Sequence, residues 1–177
     1  MIERSVLRGA YDREAEGYDA RFAALQAPKH AALLEALGDF AAGRDVLDAG
    51  AGTGLFRGAL QARGIVPRFL VELDLSHCML TKAGGSARIQ ADLDALPFAP
   101  ASFDVIVCVT ALIDPARDRF RLHAFAAIAR PGARLAVSWL LRDRPDPAPL
   151  CRASGWLPVG DAFACGGQDV GITCIRA

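Results

Sequence analysis

The chain has 177 residues, 53% of them hydrophobic and 23% charged, enough for one domain with a substantial core and too few for two comfortable ones. Its 20 basic residues balance its 20 acidic ones, so no electrostatic footprint marks nucleic acid or an anionic membrane as a partner. The first residues lack the apolar stretch of a signal peptide and no run approaches the roughly 18 apolar residues of a membrane span, so a cytoplasmic protein is expected.

In chain order, residues 2–26 are predicted as a helix and residues 27–40 as a second, with Leu33, Leu34, Leu37 and Phe40 on one face. Residues 44–48 read as a strand running into a glycine-rich turn, and residues 55–60 as a helix closed by Gly64. A strand over 68–73 follows, then a helix that Ser76 is suited to cap. Residues 87–90 form a short strand, and the β-branched run at 104–109 suits a parallel strand buried on both faces. A helix over 115–130, ended by Pro131-Gly132, precedes a fifth strand at 134–140. Residues 142–149 carry three prolines and read as an irregular connection. Residues 157–165 and 169–176, joined by Gly166-Gly167-Gln168, read as a closing antiparallel hairpin.

Strands alternating with helices predict a three-layer, doubly wound α/β fold. Its sheet is mostly parallel and seven-stranded, with an antiparallel hairpin at the C-terminal end. Ligands of such sheets bind beyond the carboxyl ends of the strands, near the reversal of strand order. The five cysteines (Cys78, Cys108, Cys151, Cys165 and Cys174) include no CxxC pair and no histidine at a metal-ligand spacing. They read as free thiols, and no metal site is expected.

The most informative string is Val46-Leu47-Asp48-Ala49-Gly50-Ala51-Gly52-Thr53-Gly54. Glycines at alternate positions let the backbone turn tightly and let a ligand approach without a Cβ in the way. A dinucleotide turn wants its third small residue at position 55, which is Leu55. Asp48 before the glycines would also repel a pyrophosphate. A cationic ligand without phosphates suits the turn better.

With this turn the sequence resembles the class I, seven-stranded S-adenosylmethionine-dependent methyltransferases, over nearly the whole chain. Val71-Glu72-Leu73-Asp74-Leu75-Ser76-His77-Cys78-Met79-Leu80 is similar to that family's second-strand segment. Ala91-Asp92-Leu93-Asp94-Ala95-Leu96-Pro97-Phe98 and Ser102-Phe103-Asp104-Val105-Ile106-Val107 are similar to its third and fourth segments. Ile128-Ala129-Arg130-Pro131-Gly132-Ala133-Arg134-Leu135 resembles the turn before its fifth strand. Residues 10–19 resemble its lid helix, whose tyrosines close over the cofactor.

The resemblance implies S-adenosylmethionine as cofactor and a small molecule as methyl acceptor. Asp74 would accept from both ribose hydroxyls, Asp92 from the adenine amino group, and the Leu93 amide would face the ring. Tyr11, Tyr18, Asp48, Ala49, Gly50, Gly52, Gly54, Leu75, Met79 and Cys108 complete the expected cofactor site. It implies one domain over residues 1–177, with lid helices over 1–40 and a Rossmann-like core over 41–177. Plainer roles compete: Asp48 or Asp74 as a cap, Asp92 or Asp94 as an ordinary turn residue, and Tyr11 and Tyr18 as core packing.

Methyl transfer from a sulfonium requires chiefly a nucleophile held in line, near 3 Å from the methyl carbon, with water excluded. None of His30, His77 and His123 is assigned a catalytic role, and no catalytic residue is named. Ile113 stands where many small-molecule members have a histidine facing the site, which removes a candidate base for hydroxyl methylation. The segment also lacks the N-P-P-Y string of amino-group methyltransferases. Only residues 142–155 stand where relatives insert an acceptor-shaping element. A cofactor-binding module without transfer, and more remotely a nicotinamide-dependent oxidoreductase, are the competing readings.

Overall fold

The computed structural model describes residues 3–85, 87–144 and 146–177. Ile2, with which the predicted first helix opens, and Pro145, in the predicted connection, lie outside them. Five strands carry the chain through the sheet: β1 (Asp45–Ala49), β2 (Phe69–Asp74), β3 (Ala87–Gln90), β4 (Phe103–Val109) and β5 (Ala129–Leu140). They pair in parallel in the order β3-β2-β1-β4-β5. The antiparallel strand β8 (Asp169–Arg176) continues the sheet beyond β5. Two short segments, β6 (Trp156–Pro158) and β7 (Phe163–Cys165), lie along the far side of β8.

Side chains alternate across the sheet, and the apolar residues divide accordingly. Leu47, Ile106, Cys108, Leu135 and Val137 face one layer with α5 (Asp118–Ile128) and α6 (Ala148–Ala153), whose Leu122, Phe125 and Cys151 join the same cluster. Val46, Val105, Val107 and Ala136 face the other, against Leu33, Leu34 and Leu37 of α2 (Tyr18–Leu37) and Phe56 and Leu60 of α3 (Leu55–Ala62). A continuous apolar run such as β4 is therefore core on both faces. The doubly wound, mostly parallel architecture expected from the sequence is present.

Differences fall at element ends. The N-terminal break lies at a single 3-10 turn, Ala15–Gly17, between α1 (Arg4–Glu14) and α2, and Pro28 lies inside α2. The buried stripe Lys29, His30, Leu33, Leu34 and Leu37 recurs at helical spacing through this stretch, so packing carries the helix past its proline. From Leu33 onward α2 is thus core, and the stretch from Tyr18 to His30 faces the site described below. Pro131-Gly132 does not end a helix; it lies within β5, beside the register shift between Phe103 and Val105. The predicted strand over 157–165 is two segments, since Pro158 has no N–H to continue the ladder and Gly160 adopts a φ of 80°. A short helix, α6, begins at Ala148 inside the predicted irregular connection, with Pro149 in its first turn, where a missing N–H costs no hydrogen bond. Among the described residues no helix is long and apolar enough to cross a membrane.

Beneath the glycine turn, Arg57 of α3 meets Glu72 of β2, with Nη2 2.8 Å from Oε2 and Nε donating to Oε1 at 3.0 Å. Glu72 is fully buried, while Arg57 is 23% exposed at its side chain. Losing the arginine strands a buried charge, and breaking such pairs costs about 3–5 kcal/mol. Arg57→Met should therefore destabilise the fold by about that amount, and adding Glu72→Gln should restore a large part of it. Urea unfolding of both variants tests this; costs that simply add would show that the pair is not coupled.

Candidate functional site

The chain reverses its strand order between β1 and β4, and the crevice beyond their carboxyl ends is a cavity of about 370 Å³. Its floor is the turn after β1. Gly50, Gly52 and Gly54 hold φ of 85°, 55° and 84°, a region costly for any residue with a Cβ. A Cβ on Gly50 would also stand 2.4 Å from the Ala111 Cβ, so the turn packs directly on the segment after β4.

The turn is fastened to β2. Gly50 and Ala51 donate to the Leu73 carbonyl at 2.8 and 2.9 Å. Gly52 N donates to Asp74 Oδ2, and Ser76 N to Asp74 Oδ1, both at 2.8 Å. Each Asp74 oxygen keeps a further lone pair, and the residue lines the cavity. Burial raises its pKa above the usual carboxylate value, opposed by the amide hydrogen bonds. Ser76 caps α4 (His77–Lys82) by accepting from Met79 N at 3.1 Å, as its sequence position suggested.

Asp48 lies beneath the turn, 2% exposed, and its Oδ2 has no hydrogen-bond partner among the described residues. Burial, then the charges of Glu72 and Asp74, push its pKa well above the ordinary value. It borders a smaller cavity of about 40 Å³ with Tyr18, Gln26, His30 and Thr53. An orphaned carboxylate oxygen flanked by two further acids is a setting for a ligand's ammonium and repels phosphate. His30 offers no rival charge, since burial and the neighbouring Lys29 pull it down to about 4.

The wall beyond β3 carries Ala91, Asp92 and Leu93. Asp92 Oδ1 accepts from Asp94 N at 2.9 Å, and its Oδ2 lies 2.8 Å from Arg4 Nε of α1. Asp94 is instead paired with Arg4, Arg117 and Arg121, the last at 2.7 Å, and does not line the cavity. Of the two aspartates, Asp92 is the one that faces it. The roof is α1 and the first half of α2, with Tyr11 and Tyr18 both lining the cavity. Asp12 docks α1 by accepting from Ser76 Oγ at 2.5 Å and Cys78 N at 3.3 Å.

Nine expected residues therefore border the main cavity: Tyr11, Tyr18, Gly50, Gly52, Asp74, Leu75, Met79, Asp92 and Leu93. Asp48 borders the smaller one. Ala49, Gly54 and Cys108 border neither. Ala49 and Cys108 are fully buried in the core layer under the strand ends, where burial raises the Cys108 thiol far above its usual value. Gly54 packs against Glu72 and Ala83. Among the lining residues that sequence reasoning missed are Arg4, Phe22, Gln26, Lys29, Thr110 and Leu140. A polar residue at the end of the apolar β4 run was the available signal for Thr110. Ile113, expected in the place of a histidine, does line the cavity.

The methyltransferase domain family matches residues 47–137, just over half of the chain. The O-methyltransferase cnsE of Penicillium expansum is 34% identical over 115 residues, covering 60% of this chain and 42% of that protein. The chain spans about half the length of these curated relatives, which include two further fungal O-methyltransferases. A chain solved in complex with the Haloferax volcanii Trm112 methyltransferase activator superposes with a TM-score of 0.82 at 16% identity, covering 96% of each chain. The Burkholderia thailandensis 1,6-didemethyltoxoflavin-N1-methyltransferase, solved with that compound and S-adenosylhomocysteine, gives a TM-score of 0.73 at 22% identity, covering 98% of this chain and 88% of that one. With the glycine turn, the strand-end carboxylates and the sheet order all in place, the chain belongs to the methyltransferase domain family, in its class I, S-adenosylmethionine-dependent form.

Proposed function

We propose that this chain binds S-adenosylmethionine in the cavity beyond β1 and β2 and transfers its methyl group to an oxygen of a small-molecule acceptor. The observation that carries the reading is the Asp74 carboxylate, buried at the end of β2, clamped by two backbone amides and lining the cavity. Bound there, the cofactor supplies a methyl group already activated by a sulfonium. The chain's own residues do the rest. Asp74 accepts from the ribose hydroxyls, and Asp92 accepts from the adenine amino group with Leu93 against the ring. Asp48 and the acids beside it provide for the ammonium, and Tyr11 and Tyr18 close the roof and exclude water.

Curated relatives that match the chain are named O-methyltransferases, which supports oxygen as the nucleophile. We read residues 1–177 as one domain, with residues 1–40 supplying the lid and 41–177 the Rossmann-like core. We place the protein in the cytoplasm, a reading supported by five free cysteines, four of them buried. The rival reading, a cofactor-binding module without transfer, rests on Ile113 at the histidine position. Turnover of any acceptor in a broad phenol, carboxylate and amine panel would eliminate it.

Hydrogen bonds to a charged group are worth about 1.5–3 kcal/mol each, and two are at stake at Asp74. Asp74→Ala should weaken S-adenosylhomocysteine binding by at least about 30-fold in calorimetry; a Kd within about threefold of wild type would remove the ribose role. Because the Asp74 pKa is raised, affinity should begin to fall at a pH above the ordinary carboxylate range, as Asp74 takes up a proton on acidification.

Asp48 gives a prediction of opposite sign for stability. Its folded pKa is raised, so its ionisation penalises the folded state, and that penalty grows as pH rises through its titration. Asp48→Asn should raise the Tm of the ligand-free protein at neutral pH by about 2–4 °C, equivalent to about 1 kcal/mol at this chain length. The gain should shrink on acidification, and cofactor affinity should fall. A lowered Tm with unchanged affinity would show Asp48 to be a structural cap.

A further inference from the structure

Beyond the ends of β4 and β5 lies a buried ionic cluster that no cofactor contact uses. Lys29 of α2 holds its Nζ 3.1 Å from Oδ1 of Asp169, the first residue of β8, and donates to Thr110 Oγ1 at 3.1 Å. Thr110 Oγ1 donates to Asp169 Oδ2 at 2.6 Å, and Ser138 Oγ donates to the same oxygen at 3.3 Å. The Lys29 and Asp169 side chains are 4% and 0% exposed. Burying such a pair costs several kcal/mol per ion in desolvation, so it adds little to stability in itself.

Two further features show that the cluster is built to hold one geometry. Thr110 sits at a φ of 51°, left-handed for a β-branched residue, and its N–H donates to both the carbonyl and Oγ of Ser138 at 3.2 and 3.1 Å. Strain of this kind persists where the surroundings fix it, and it gathers at ligand sites. The stem of Lys29 is held from below, because a Cβ on Gly166 would stand 2.7 Å from Lys29 Cγ.

Lys29 and Thr110 both line the main cavity. An ammonium has three N–H groups; one is donated to Thr110 Oγ1, Asp169 Oδ1 is met as an ion pair without hydrogen-bond alignment, and an N–H is left for a ligand. A single N–H suits one anionic oxygen, whereas a carboxylate is best met by a fork of two donors. Phe22, Leu25 and Lys29 recur on one face of α2, and with Ile113 and Leu140 they give the lining beside the ammonium an apolar character. Among the described residues Asp169 is the one charged partner of Lys29: burial and Lys29 pull His30 down to about 4, and burial pushes the Cys165 thiol up to about 11.

We propose that Lys29, held by Asp169 and Thr110, binds the reacting oxygen of the acceptor, and that the acceptor is a phenol or enol taken up as its anion. This rests on the methyltransferase reading above and deepens it. The acceptor's proton goes to solvent on binding. A lone pair of its oxygen forms the new O–CH3 bond while the S–CH3 bond breaks and leaves its electron pair on sulfur. Stabilising the anion replaces the general base that Ile113 cannot be.

The test uses 4-nitrophenol, whose ionised form has its own visible absorption band, added to the protein saturated with S-adenosylhomocysteine in buffer acidic enough to keep free nitrophenol protonated. The phenolate band should rise on binding to wild type. It should be at least tenfold weaker in Lys29→Met and in Lys29→Met/Asp169→Asn, which removes the pair without orphaning a buried charge. Lys29→Arg should recover it in part. An undiminished band in the double variant, no band with wild type, or equal displacement by 4-nitrobenzoate would each overturn the proposal. A separate S-adenosylhomocysteine titration of each protein establishes that its site is folded. If wild type itself fails to bind that nucleoside, the cofactor reading falls instead.

Discussion

A single carboxylate holds the site together. Asp74 closes β2, and its two oxygens take one amide from the glycine turn after β1 and one from the cap of α4. With the Leu73 carbonyl accepting from Gly50 and Ala51, the end of one strand dictates the path of the chain leaving its neighbour. Gly50 can then lie against Ala111, and Ser76 can receive Asp12 from the roof helix. Floor, wall and roof of the cavity all trace back to that one strand end.

The electrostatics follow from the same arrangement. Three acids, Asp48, Glu72 and Asp74, gather under a turn that in dinucleotide-binding folds receives phosphate, and Arg57 offsets only Glu72 directly. Of these, Asp74 lines the main cavity and Asp48 the smaller one beside it, while the Lys29–Asp169 ion pair lies where β4 and β5 end. The unpaired Asp48 carboxylate oxygen and the Lys29–Asp169 pair thus stand on different sides of the strand-order reversal between β1 and β4.

How much of this the sequence revealed depends on separation along the chain. The glycine turn, Asp74 and the Ser76 cap are local: each is a short string whose residues act on neighbours, and each is where the pattern placed it. The strands were legible because buried parallel strands are nearly uniform apolar runs. Helix ends were less so, since Pro28 reads as a breaker until the core stripe of α2 carries the helix through it. Cys108 illustrates a finer limit, because strand alternation turns its side chain into the core while the neighbouring Val109 lines the cavity. The Lys29–Asp169 and Arg4–Asp92 pairs join opposite parts of the chain, and no local pattern announces them.

The contact between Gly50 and Ala111 has a mechanical consequence. With no room for a further methyl group between them, the glycine turn and the loop that leads from Thr110 to Ile113 cannot shift independently. A displacement of either is passed to the other through the Ala111 methyl group. Any change of side-chain size at position 111 therefore bears directly on the path of the glycine turn.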